Sequence, residues 1–168
     1  MSKPLVYILN GSGGCGKDTF VNMCRIFSNK SIIHISTITP IKRAAKLLGW
    51  NGEKDENSRK FLSDLKDLCT KTFDTSFRYI EAELYDAEEN DVDYVFIDCR
   101  EPEEIKRLVK HFGAQTIYID ASKRVKQITS NHADKNVQNY EYELYIDNNG
   151  NYENLMKQAE NFIKGGNQ

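Results

Sequence analysis

The sequence predicts an α/β domain with about five parallel strands and helices on both faces of the sheet. Three observations carry that prediction. Short apolar β-prone runs recur along the chain, segments of helical periodicity lie between them, and a glycine-rich loop follows the first run directly. Strands separated by a helix pair in parallel, because each crossover needs a helix long enough to return the chain. Ligands of such sheets bind outside the carboxyl ends of the strands.

The first strand is read at Pro4 to Leu9, an apolar run ending at Asn10-Gly11. Asp18 to Phe27 then places Phe20, Met23, Cys24 and Phe27 on or near one helical face. A second run, Ile32 to Ile35, leads to Thr39-Pro40, a helix start, and to Ile41–Leu48 ending at Gly49. Between Asn57 and Asn90, Phe61, Leu65, Leu68, Phe77, Ile80 and Leu84 recur at helical intervals, broken by a cap near Asp74-Thr75, so two helices fit. Tyr94 to Ile97 is a buried-strand run, Pro102 opens a helix to about His111, and Thr116 to Ile119 follows as a strand after Gly113. Leu144 to Ile146 and Leu155 to Ile163 supply the last strand and helix. The acidic stretch from Glu81 to Asp91 reads as a solvated helix face.

Composition bounds the function classes. A chain of 168 residues with 39% hydrophobic and 11% aromatic residues fits one packed domain spanning residues 1–168. Lysine plus arginine total 23 against 25 acidic residues, a net charge of -2, which argues against a nucleic-acid polymer as partner. An anionic ligand must therefore be held by a local site. Cys15, Cys24, Cys69 and Cys99 are too sparse for a disulfide scaffold and lack zinc spacing, so free thiols in a reducing cytoplasm are expected. No stretch approaches the roughly 18 apolar residues of a membrane helix, so no membrane partner is expected.

The decisive motif is Gly11-Ser12-Gly13-Gly14-Cys15-Gly16-Lys17, a G-x-x-x-x-G-K phosphate-binding loop, the Walker A motif, set between an expected strand and helix. Its glycines let backbone N–H groups turn towards phosphate oxygens, and the helix N-terminus adds partial positive charge. Lys17 would reach the β- and γ-phosphates of ATP. Asp18, followed by Thr19, stands where Ser or Thr usually contacts magnesium. A carboxylate can ligate Mg²⁺ but adds negative charge beside a triphosphate.

Asp98 ends the Tyr94–Ile97 strand and would face this loop if those strands are neighbours. It could hold Mg²⁺, activate an acceptor hydroxyl, or cap the turn before Pro102. Arg100 could fork onto a substrate phosphate or pair with Glu101, Glu103 or Glu104. The polar segment Ser122–Tyr140 carries Lys123, Arg124 and Lys126, then Asn131-His132-Ala133-Asp134. It reads either as a lid around 121–140 that brings cations, Arg124 foremost, to the transferring phosphoryl group or as a solvated basic loop. His132 reads as a local hydrogen-bonding residue.

Gly16-Lys17-Asp18-Thr19, the Thr39-Pro40-Ile41-Lys42 helix start, Asp98-x-Arg100 and the closing Asp147-Asn148-Asn149-Gly150 together resemble the deoxynucleoside monophosphate kinase family. The order of elements is similar across nearly the whole chain, which is shorter than the family through its middle. The resemblance implies a single-domain P-loop kinase fold and ATP-dependent transfer of a phosphoryl group to a (deoxy)nucleoside monophosphate. It implies that the loop and Lys17 hold ATP, that Lys42 and Arg43 border the acceptor pocket, and that Asp98 and Arg100 lie at the acceptor phosphate. Arg59 falls on a helical segment that resembles the family and is a further acceptor-binding candidate. The expected catalytic set is Lys17, Asp98 and Arg124, and the expected metal ligands are Asp18 and Asp98. A homodimer is left open. Two alternatives stand beside this reading: a P-loop kinase for another acceptor, resembling dephospho-coenzyme A or phosphomevalonate kinases, and a nucleotide-binding regulator without turnover.

Overall fold

The computed structural model describes residues 3–125 and 140–165. Five strands are described: β1 (Leu5–Asn10), β2 (Ile32–Ser36), β3 (Tyr94–Asp98), β4 (Gln115–Asp120) and β5 (Leu144–Asp147). The six described helices are α1 (Lys17–Phe27), α2 (Thr39–Leu47), α3 (Glu56–Phe73), α4 (Thr75–Glu89), α5 (Pro102–Phe112) and α6 (Tyr152–Gly165). All strand pairs are parallel, in the order β2-β3-β1-β4-β5.

Strand periodicity divides the core between the two faces of the sheet. Tyr7, Leu9, Tyr94, Phe96, Ile117 and Ile119 pack with Phe20 and Met23 of α1 and Leu155, Ala159 and Ile163 of α6. Ile8, Val95 and Ile97 point the other way, onto Ile80 and Leu84 of α4 and Ile105 and Leu108 of α5. The first face is rich in rings: Phe20, Phe96, Tyr7 and Phe162 meet with centroids 5.0–6.4 Å apart. Each such pair adds about 0.5–1.5 kcal/mol beyond the area it buries. A smaller cluster, Ile41, Ala45 and Leu62, joins α2 to α3.

The strand order puts β1 between β3 and β4, so the loop leaving β1 emerges at the centre of the sheet's carboxyl edge. Leu9 and Ser36 are both in register with Asp98. The end of β3 thus lies beside the loop and beside the end of β2. Asp74 stands between α3 and α4 as the expected cap, through its backbone. It takes a left-handed conformation (φ 54°), its N–H bonds to the Thr70 carbonyl to close α3, and its carboxylate pairs with Arg107 instead of capping α4. The four cysteines are free. No helix among the described residues is long and apolar enough to cross a membrane.

Candidate phosphate-binding cleft

The glycine-rich loop turns back on itself between β1 and α1. The Cys15 N–H bonds the Ser12 carbonyl at 3.0 Å, and the Lys17 ammonium folds over the loop to the Gly11 carbonyl at 3.1 Å. Two glycines are required by what surrounds them. At Gly11 (φ 144°) a Cβ would stand 2.6 Å from the Ile119 carbonyl oxygen; at Gly16 (φ 99°) it would collide with the Asn148 amide. With glycine at its N-cap, α1 begins without a side-chain cap, so its first N–H groups and its dipole face the loop's interior.

Two buried asparagines fix the loop from either side. The Asn10 side chain accepts from the Gly11 N–H at 2.7 Å and donates to the Tyr142 hydroxyl at 2.6 Å and the Arg100 carbonyl at 3.3 Å. Burial, with neighbouring Tyr118, holds the Tyr142 hydroxyl well above the usual phenol range. Asn148 donates from its amide to the Cys15 carbonyl at 2.8 Å, and its own carbonyl accepts from Arg124 Nε. Asn149 accepts from the Lys123 N–H and donates to Asp120. The Asp147–Gly150 turn and the segment after β4 are therefore laced together behind the loop. Val125 passes within 3.9 Å of where a Gly14 Cβ would sit.

In front of the loop opens a cleft of about 740 Å³. Its walls carry Lys17, Asp18 and Thr19 at one end, Asp98 and Arg100 from the end of β3, Lys42 from α2, and Arg59, Leu62 and Lys66 from α3. Trp50 and Lys54, between α2 and α3, complete the far wall. Partial desolvation against the wall, helped by Lys54 and Arg100, holds the Lys42 ammonium below the usual lysine range, although much of its surface is solvent-accessible. Lys66 goes the other way. Burial would lower its pKa, but Glu104, 2.7 Å away, together with Cys99 and Glu101 more than offsets it, and the ammonium is held above its usual range.

The expected site residues thus divide. Lys17, Asp18, Asp98, Lys42, Arg59 and Arg100 line one cleft. Arg43 is outside that lining, its guanidinium 5.6 Å from the ring centroid of Tyr79. Arg124 stands behind the loop on Asn148. Lys126, Asn131, His132 and Asp134 of the expected lid lie outside the described residues. The Asp98 carboxylate takes a bond from His34 instead of capping α5, whose N-cap is Glu101, and Glu104 and Glu103 are engaged by Lys66 and Lys106.

Sequence reasoning missed Trp50, Lys54, Lys66 and, above all, His34. One ring nitrogen of His34 lies 3.0 Å from Asp98 and the other 3.5 Å from Asp18. The available signal was a lone histidine in the apolar run Ile32-Ile33-His34-Ile35. Its meaning depends on β2 lying beside β3, which no local pattern encodes.

No protein-family model matches the sequence, and no curated protein matches it. Solved structures do. The chain is similar over 99% of its length to the whole of TT1252 from Thermus thermophilus, with a TM-score of 0.59 and 12% identity. It is also similar over 98% of its length to 97% of APE1195, with a TM-score of 0.50 and 16% identity. At such identities the likeness is one of fold. Together with the parallel β2-β3-β1-β4-β5 order, it is consistent with a P-loop kinase-like fold.

Proposed function

We propose that this chain transfers the γ-phosphoryl group of ATP to a small phosphorylated acceptor, and that the acceptor is a (deoxy)nucleoside monophosphate. The observation that carries the reading is a single cleft shared by a phosphate-binding loop and a cationic wall of Lys42, Arg59 and Arg100. Phosphoryl transfer asks little covalent chemistry of the protein; positioning and charge stabilisation dominate. The loop's N–H groups, the uncapped start of α1 and Lys17 hold the donor phosphates. Arg59 and Arg100 grip the acceptor phosphate through forked guanidinium bonds. Trp50 and Leu62 add a flat apolar surface suited to a base, with the Trp50 indole N–H held by the Glu53 carbonyl at 3.2 Å.

Donor atoms of Asp18, Asp98 and His34 lie within 4.8 Å of one another, a set that fits a divalent cation. Asp18 and Asp98 would hold magnesium there, where it would supply positive charge against that of the phosphates. Arg124, fixed against the loop through Asn148, supplies a further cation for charge developing on the transferring group.

Trp50 is the sole tryptophan, so its fluorescence reports directly on the acceptor end of the cleft. Titration with nucleoside monophosphates is expected to give a saturable change that Lys17→Ala retains, while the same variant loses ATP binding measured by calorimetry. An unchanged ATP affinity in Lys17→Ala would remove the donor assignment. Absence of a saturable change with every monophosphate would remove the nucleotide acceptor.

A further inference from the structure

We infer that His34 completes a mixed nitrogen and oxygen cation site with Asp18 and Asp98, so that the cleft selects a first-row transition cation such as Mn²⁺ over Mg²⁺. Service of that cation to ATP rests on the phosphotransferase reading above; its binding to the protein does not.

Strand alternation makes the site. Tyr94 and Phe96 point into the core under α1, so Asp98, two residues on, takes the same face at the strand's end. His34 is in register with Phe96 on the adjacent strand and shares that face. Asp18, in the first turn of α1, stands above both. The His34 side chain is only 12% exposed, whereas that of Asp18 is 89% exposed and can turn towards a ligand.

A structural role for His34 would require one contact, an N–H donated to Asp98 that orients the carboxylate. The second nitrogen, 3.5 Å from Asp18, needs a further account. A neutral imidazole has one N–H and one lone pair, an imidazolium has two N–H groups, and an ionised carboxylate only accepts. With both ring nitrogens facing carboxylate oxygens, positive charge belongs at this spot, either on the ring itself or on a cation among the three side chains. A metal cation drawing on one nitrogen and both carboxylates supplies that charge, and nitrogen coupling to a bound ion tells it from a doubly protonated ring. The donor set also decides which cation. Mg²⁺ demands near-ideal oxygen octahedra and keeps several waters, whereas an imidazole nitrogen favours transition ions, with affinity rising along the series from Mn²⁺ to Co²⁺ and beyond. The only other described histidine, His111, packs on Phe77 and Phe112 beside Glu81.

The test is pulsed electron paramagnetic resonance of Mn²⁺ bound to chelator-stripped protein without nucleotide, prepared with ¹⁴N- or ¹⁵N-histidine. Bound Mn²⁺ is expected to show nitrogen coupling that changes with the isotope and is absent in His34→Gln. Mn²⁺ affinity in that variant should fall by at least about tenfold, the scale seen even for groups one shell removed from a metal. Asp98→Asn leaves the ring in place and is also expected to weaken Mn²⁺, so the site remains testable if His34→Gln fails to fold. Bound Mn²⁺ without nitrogen coupling, coupling that survives His34→Gln, or no stoichiometric binding would each overturn the inference. ATP binding measured in chelator separates the two claims: ATP bound without nitrogen-coupled Mn²⁺ sinks only the cation site, and the converse sinks only the nucleotide reading.

Discussion

At the scale of single residues, two arginines near the loop are held in different ways, and kinetics should tell them apart. Arg100 follows the end of β3 and lines the cleft, where an acceptor phosphate would already be gripped in the ground state. Arg100→Ala is therefore expected to raise the KM for the acceptor more than that for ATP. Arg124 lies behind the loop with its Nε committed to the Asn148 carbonyl, and in the proposed function its remaining guanidinium charge would serve the transferring group as negative charge develops. Arg124→Ala should lower kcat, by roughly the 10²–10³-fold scale of a lost charge-stabilising donor, with smaller changes in either KM. Steady-state kinetics with both substrates varied measures this. If both variants weaken ATP alone, the division of roles is wrong. Asn148 explains why Arg124 is near the loop at all, because its backbone carbonyl accepts from Arg124 while its side-chain amide holds the Cys15 carbonyl.

At the scale of elements, α3 is the wall that carries Arg59 and Lys66 into the cleft, where the proposed acceptor would lie. Arg59, Leu62, Ser63, Lys66 and Asp67 recur at helical spacing, and all face the cleft. Two contacts hold this helix in place. Asp55 caps its start by accepting from the Ser58 N–H at 2.7 Å, and Lys66 ties its middle to Glu104 of α5. That half-buried pair is reinforced by the Cys99 thiol, which donates to Glu104 and is pushed well above its usual range by burial and then by the Glu104 charge. The bond from Ser58 lowers the Asp55 carboxyl below its ordinary value. A depressed carboxylate stabilises the fold above its unfolded pKa, and that contribution is lost as pH falls through the folded value. Asp55→Ala is thus expected to lower the thermal midpoint at neutral pH and raise the acceptor KM with little effect on ATP, whereas Asp55→Asn, also a good cap, largely restores both. The difference in midpoint between wild type and Asp55→Asn should narrow in acid. Equal acceptor KM values in all three proteins would show that the cap does not position the wall.

At the scale of the whole molecule, what could be read in advance was what local chemistry encodes. The apolar runs at Leu5, Ile32, Tyr94, Thr116 and Leu144 and the helices between them follow from side-chain period, and the loop at Gly11–Lys17 from glycine placement between strand and helix. Strand order was not legible, because parallel register is set by crossovers and packing, far from the residues that pair. His34 was illegible for that reason: its neighbours Asp18 and Asp98 lie 16 and 64 residues away along the chain. Trp50, Lys54 and Lys66 reach the cleft only because α2 and α3 fold over the carboxyl edge of the sheet, through Ile41, Ala45 and Leu62. What this arrangement builds is one cleft with the glycine-rich loop at one end and the cations Lys42, Arg59 and Arg100 on its walls, and the proposed function is that phosphate moves across it from ATP to an acceptor. The most direct measurement is ³¹P nuclear magnetic resonance of the protein with ATP, a divalent cation and a panel of nucleoside monophosphates and other phosphorylated acceptors. The account predicts loss of the ATP γ-phosphorus signal matched by a new diphosphate on at least one nucleoside monophosphate, and no turnover with Lys17→Ala. Tight ATP binding with every acceptor left unchanged, or transfer only to an acceptor that is not a nucleotide, would contradict it.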